Sequence, residues 1–313
     1  MAVSSAEVLD VMAVGVCGSD IHRLRSGLDV RSLGHELVGR RPGDGTLAAI
    51  RPLNPCRVCP ACRRGWTEQC ASDVSIGRLD TGQGGFSGRV HAQPDQLYPL
   101  PAYLPIPVAT LADPLACIVH ALDGVSLDGK AVLIIGDGSM AAIAAVYARL
   151  CAARVGIAVK DATRASRVSS FADHVVTVEE LPVTHYDVVL EAVGGTSSAP
   201  ILTAILAVAP LGQVVALGVY RPDLAAVIPV RTLLEKESTL RGSKAYRVSA
   251  ERDDFATALE YLATYRDAYS PIITRTPPWS PDDTQPPELE RRNGTLKTVY
   301  VRVPAGRTTP DPE

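Results

Sequence analysis

The segment NPCRVCPACRRGWTEQC, residues 54–70, holds Cys56, Cys59, Cys62 and Cys70, four of the chain's seven cysteines. Two C-x-x-C steps bring thiolates within reach of one tetrahedral ion, and four thiolates fill a closed, structural zinc site. Arg57, Arg63 and Arg64 partly offset the charge of such a cluster. The spacing leaves disulfides or loose thiols as alternatives, and a reducing compartment disfavours the disulfides. A metal knot of this kind stabilises a loop and performs no chemistry.

A second set does offer chemistry. VGVCGSDIH (14–22) and LGHELVG (33–39) bring Cys17, His35 and Glu36, one sulfur, one nitrogen and one oxygen donor. A catalytic zinc takes three protein ligands and keeps a fourth position open. Taken one at a time, the three have plainer roles: a buried thiol, a core histidine and a surface acid.

A third stretch addresses a cofactor. Gly136-Asp137-Gly138-Ser139-Met140-Ala141 is a G-x-G-x-x-A turn between an apolar strand and an Ala-rich helix. Its glycines let backbone approach a pyrophosphate, whose charge meets the helix N-terminus. The second strand ends in Val159-Lys160-Asp161-Ala162-Thr163-Arg164. Lys160 stands 24 residues after Gly136, about where an acid would bind the ribose diol of NAD, with Asp161 next and Arg164 and Arg167 close by. A cation there favours the 2′-phosphate of NADP; a register shift of one residue makes Asp161 the acid for NAD.

The elements that must carry these residues change along the chain. Its 313 residues exceed a single core and imply two domains. Residues 1–110 are rich in Gly, Pro and short apolar runs (EVLDVMAVGVCG, TLAAIRPL, GGFSGRVHAQ, QLYPLP), which read as short strands and tight turns, an irregular β domain. From 131 the pattern alternates buried strands with helices, the βαβ signature of a doubly wound parallel sheet. DDFATALEYLATY reads as a later helix, TLKTVYVRV as a final strand, and the proline-rich TPPWSPDDTQPPELERRNG as a loop. The fold class is therefore α/β.

Composition excludes several functions. A net charge of −3 gives no footing for nucleic acid. MAVSSAEVLD lacks the basic and apolar regions of a signal peptide. ILTAILAVAPLGQVVALGVY (201–220) is long enough to span a membrane, but Pro210, Gly212 and Gln213 divide it into a buried helix, a turn and a buried strand. A cytoplasmic protein without membrane or nucleic-acid partners is expected.

GVCGSDIH, GHE, the 3-3-8 cysteine loop, ADPLACIVHAL (112–122), the GDGSMA turn and LRGSKAY occur in that order. Over nearly its whole length the chain resembles the zinc-dependent alcohol dehydrogenases of the medium-chain dehydrogenase/reductase superfamily. ADPLA points to the polyol branch of sorbitol, threonine and butanediol dehydrogenases. The resemblance implies a GroES-like catalytic domain from residues 1–114 and 245–313, with a Rossmann domain, 115–244, inserted. It assigns Cys17, His35 and Glu36 to a catalytic zinc and Cys56, Cys59, Cys62 and Cys70 to a structural zinc. Ser19 and His22 match the family's proton relay. Asp113 stands where the branch has a glutamate able to ligate zinc, with a helix N-cap as its other reading, and Cys117, one turn on, packs in the core. The implied reaction moves a hydride between NADP (or NAD) and a secondary alcohol or its ketone, a polyol, sugar or cyclitol, in a cleft between the domains. A homodimer or homotetramer is implied, with GQVVALGVY and AAVIPV as its edge.

The chain departs from the family in lacking a stretch before EVLDVMAVGVCG, in short spans from Cys17 to His35 and from Glu36 to Cys56, and in its proline-rich 277–287 region. Two alternatives stay open: a zinc-independent reductase of the same superfamily, and a catalytically silent protein that binds zinc and nucleotide.

Overall fold

In the computed structural model, residues 6–303 are described, apart from 73, 79–81, 183–184, 284–286, 288 and 290–293. The chain divides into two compact units, Met1–Ala116 with Arg247–Glu313, and Cys117–Tyr246.

Along the first unit run strands β1 (Glu7–Gly15), β2 (Glu36–Arg40), β3 (Leu47–Ile50), β4 (Arg89–Ala92) and β5 (Leu97–Pro99). Helix α1 (Gly18–Arg25) follows β1 directly, and α2 (Pro60–Arg63) lies inside the cysteine loop. Short α3 (Ile106–Ala109) precedes α4 (Ala112–Ala121).

The second unit contains β6 (Ala131–Ile135), α5 (Ser139–Leu150), β7 (Arg154–Val159), β8 (His174–Thr177), β9 (Tyr186–Glu191), α6 (Ala199–Ala207), β10 (Val208–Ala216), α7 (Val230–Lys236) and β11 (Thr239–Gly242). The chain then returns to the first unit with α8 (Asp254–Thr264), β12 (Ile273–Arg275), β13 (Pro278–Trp279) and β14 (Lys297–Arg302).

Strand β1 organises the first sheet, whose order is β12-β14-β1-β2-β3-β5, with β4 also on β1 and β13 on β14. Alternate β1 residues Leu9 and Val11, with Val14, face a core of Leu37, Ile50, Phe86, Val90 and Tyr300. The segment expected as a proline-rich loop is not wholly one. Pro278 and Trp279 pair with β14, because Trp279 is 2% exposed and sets its ring edge-on to Phe86 at 5.9 Å. Burying an indole of that size outweighs the weak strand propensity of its neighbours.

The second sheet is parallel throughout, in the order β11-β10-β9-β6-β7-β8. Its strands read as continuous apolar runs because α5 and α6 pack on them. The strand order reverses between β6 and β9, the switch point where such sheets bind nucleotides. The membrane-length stretch resolves into α6 and β10 with no separate turn between them. The break falls inside β10 instead, where Leu211 takes φ 63° and the register against β9 shifts between Val208 and Gln213. Among the described residues no helix is long and apolar enough to cross a membrane.

Candidate active site

Three local features converge on one point of the first unit. Strand β1 ends at Gly15, α1 begins at its N-cap Cys17, and β2 begins at Glu36. Gly15 and Glu36 are cross-strand partners. A Cβ on Gly15 would lie 2.3 Å from Glu36 Oε2, so only glycine leaves room for that carboxylate. Gly34 takes φ +87°, which turns the chain so that His35 follows inward; His35 is 2% exposed. The outcome is that ligand atoms of Cys17, His35 and Glu36 all lie within 4.8 Å of one another.

Asp20, fully buried, was not singled out in the sequence, yet it ties these arms together. One carboxylate oxygen accepts the Cys17 amide at 2.9 Å, closing a capping box on α1. The other accepts the Gly34 amide at 3.3 Å and meets His35 Nδ1 at 3.1 Å. A carboxylate beside Nδ1 favours a proton there and leaves Nε2 as the nitrogen available to an ion. Lys297, the first residue of β14 and 2% exposed, was also missed. It ion-pairs with Glu36 Oε2 and donates to the Val16 carbonyl at 3.0 Å. A lone lysine in an apolar strand was the available signal, since a buried ammonium needs a partner.

The electrostatics match the donors. Burial works against ionising the Cys17 thiol, but the charge and hydrogen bond of His35 outweigh it and hold the thiol below its usual range. Burial likewise opposes charge on His35, and Asp20 with Cys17 overcomes it, keeping the imidazole protonated well above its usual range. Burial pushes the Glu36 carboxyl up, against the pull of Lys297 and His35. Metal binding requires the thiolate, the carboxylates and a neutral imidazole, and in that state Cys17, Asp20, Glu36 and Lys297 sum to −2, a charge that a divalent cation cancels. The mixed S, N, O set fits zinc with one position open.

Ser19 and His22 stand three residues apart in α1, neighbours on one helix face, and His22 is exposed. Asp113 does not join the donor cluster. It lies buried in the first turn of α4, with its carboxylate 3.7 Å from Arg78. Cys117, on the same helix, is partly buried.

Cys56, Cys59, Cys62 and Cys70 form the other cluster, with sulfurs within 4.8 Å of one another. The backbone turns its amides onto them: Cys56 N–H donates to Cys70 Sγ at 3.3 Å and Cys59 N–H to Cys56 Sγ at 3.4 Å. Amides of Val58 and Cys59 pull the Cys56 thiol down to about 6, whereas burial pushes Cys62 up to about 12. Glu68 anchors the loop through Arg247 at 2.7 and 3.1 Å, and Thr67 accepts the Val248 amide. Four sulfurs with no spare position suit a structural zinc.

In the second unit the glycine turn follows β6 at the switch point. Gly136 takes φ +139°, a region closed to other residues. Gly138 is the N-cap of α5, makes no side-chain cap and faces open space. The first-turn amides at Ser139 and Met140 are therefore free for an anion, as a pyrophosphate requires. Beyond β7, Lys160 is exposed. Asp161 turns inward on its own turn: it accepts the Thr163 amide at 3.1 Å and faces Arg164 Nε at 3.4 Å. Arg164 reaches across to Asp137, inside the glycine turn, at 2.9 Å, and Arg167 approaches the same oxygen at 3.9 Å.

Comparison with known proteins agrees with this geometry. Residues 5–102 match the alcohol dehydrogenase GroES-like domain family. The chain is 27% identical to L-galactonate-5-dehydrogenase of Escherichia coli K12 over 87% of this chain and 84% of that one. It is 28% identical to the L-idonate 5-dehydrogenase (NAD(P)(+)) of the same organism, over 83% and 81%. In fold it resembles a candidate zinc-binding dehydrogenase of Sinorhizobium meliloti 1021 bound to NADP, with TM-score 0.82, 24% identity, and coverage of 95% and 92%.

Proposed function

We propose that this chain, which is similar to the zinc-type alcohol dehydrogenases of the medium-chain dehydrogenase/reductase superfamily, oxidises a secondary alcohol of the polyol or sugar-acid class with NADP, or reduces the matching ketone. The observation that carries this is the convergence of the Cys17, His35 and Glu36 ligand atoms within 4.8 Å of one another, a sulfur, nitrogen and oxygen set that suits a divalent cation. Those three residues would hold a catalytic zinc, and Cys56, Cys59, Cys62 and Cys70 a structural one. Zinc bound there supplies Lewis acidity at an open position. An intact donor set argues against a zinc-independent reductase.

The chain's own groups do the rest. Asp20 holds His35 in the tautomer that presents Nε2. Lys297 balances Glu36 and keeps its carboxylate in place. The Ser19 hydroxyl takes the substrate's hydroxyl proton and passes it to His22, whose exposed ring exchanges it with water. Net, the carbinol carbon gives up a hydride and its hydroxyl a proton, leaving a ketone and reduced dinucleotide. Asp113 faces Arg78 at 3.7 Å, outside the Cys17, His35 and Glu36 cluster.

NADP is favoured over NAD because the Asp161 carboxylate is already engaged with Thr163 and Arg164, while Lys160 and Arg164 offer cations to a 2′-phosphate. A reducing, cytoplasmic setting fits the reading of Cys56, Cys59, Cys62 and Cys70 as a metal cluster. Exposed Val219, Val227, Val230 and Leu234, with edge strand β11, support a second copy of the chain as partner.

The test is a panel of polyols, sugar acids, amino-cyclitols and short secondary alcohols, followed at the absorbance of reduced nicotinamide. Turnover should need zinc and be restored by it after chelation; a zinc-replete protein inert to every alcohol and ketone contradicts the reading. Lys160→Asp should cut the preference for NADP about tenfold, the loss of one charge-assisted contact. An unchanged ratio contradicts the cofactor assignment.

A further inference from the structure

The second residue of the glycine turn is the unusual one. Asp137 places a carboxylate beside the position where the turn meets a pyrophosphate, and it is only partly exposed, at 18%. An anion there would by itself repel a dinucleotide. It is not left by itself: Arg164 Nη1 donates to Asp137 Oδ2 at 2.9 Å, and Arg167 Nη1 approaches the same oxygen at 3.9 Å. Arg164 also faces Asp161 through Nε at 3.4 Å. One guanidinium is thus shared between the turn after β6 and the turn after β7, the two places that a dinucleotide's pyrophosphate and adenosine ribose occupy.

We propose that Asp137 is a coenzyme-selectivity residue, an internal counter-ion that holds Arg164 and Arg167 in the free protein and competes with a 2′-phosphate for them. The inference rests on the reading that Arg164 serves a 2′-phosphate. A ligand without that group leaves the Arg164–Asp137 pair intact and loses nothing. A ligand that carries it must draw Arg164 away and then face the uncovered Asp137 carboxylate. Asp137 therefore penalises the phosphorylated cofactor selectively and narrows the gap between NADP and NAD, so that both remain usable. Its position follows from the turn itself, since Gly136 at φ +139° and Gly138 at the helix N-cap leave residue 137 as the only side chain between them.

Direct binding separates this from any effect on turnover. Zinc-replete protein is titrated by calorimetry with adenosine 2′,5′-bisphosphate and with 5′-AMP, which differ only in the 2′-phosphate. Asp137→Asn, and Asp137→Ser as a second variant, should bind the bisphosphate about tenfold tighter and leave 5′-AMP unchanged. Asp137→Glu, which keeps the charge, should behave as the unmodified protein, a result that a change in turn geometry alone would not give. Unchanged or weaker bisphosphate binding in Asp137→Asn, or equal tightening of both ligands, overturns the inference. The underlying reading fails differently: the unmodified protein would bind both ligands equally and Arg164→Gln would alter neither, which removes the basis for the inference.

Discussion

Asp20 carries more of the candidate site than its place in the sequence announces. It fastens the Cys17 backbone with one oxygen and the His35 ring with the other, so both donors depend on a residue that need not touch the ion. Partners of this kind orient metal ligands, and losing one costs about 10–100-fold in metal affinity. Asp20→Asn should therefore weaken catalytic zinc binding by about that factor while leaving zinc in the four-cysteine loop, as competition with a graded series of chelators would show. Equal affinity at both sites in the variant would contradict this role. Cys17, His35 and Glu36 could be named as a set from the sequence because the ordered motifs around them resemble a known family; singly their types allow a buried thiol, a core histidine and a surface acid, and the fold brings the three ligand atoms together. Lys297 could not be named this way, since its partners Glu36 and Val16 come from the other end of the chain, 281 residues away in the case of Val16. A pairing at that range is made by the fold, not by local pattern. Asp113 is a weaker case: its motif position allowed either a zinc ligand or a helix N-cap, and in the fold its carboxylate lies 3.7 Å from the Arg78 guanidinium.

At the scale of elements, what could be read ahead of the structure was what repeats locally. The strand–glycine–helix succession at β6 and α5 follows from apolar run, turn residue and alanine-rich periodicity, and strand order reverses where that turn lies. Other features depended on tertiary packing. Trp279 converts part of an expected loop into β13 by burying its ring on Phe86, and β10 absorbs a helix-to-strand turn as an internal irregularity at Leu211. The glycine turn also yields a prediction. At φ +139° a side chain is strained, and a Cβ on Gly136 would meet Val193 at 3.4 Å and the Ala192 carbonyl at 3.5 Å. Gly136→Ala should cost about 1–3 kcal/mol of stability and weaken dinucleotide binding. Both are read from urea unfolding with and without NADP. An unshifted midpoint would mean that the turn does not need glycine.

For the whole molecule, the two units carry separate halves of the chemistry: metal donors in the first, and in the second a parallel sheet with its glycine turn at the switch point. Exposed apolar residues of the second unit belong to this scale as well. Val227 is 91% exposed and Leu234 72%, a surface proposed above to seat a second copy of the chain. The double variant Val227→Glu, Leu234→Glu should shift the protein to monomers in light scattering, whereas an unchanged mass would assign the contact elsewhere. The most direct test of the central claim is zinc counted per chain by mass spectrometry, alongside turnover, in the unmodified protein and in Cys17→Ala. The account predicts two zinc ions and activity in the first, and one zinc and no measurable turnover in the second. Two zinc ions and an undiminished rate in Cys17→Ala would contradict it.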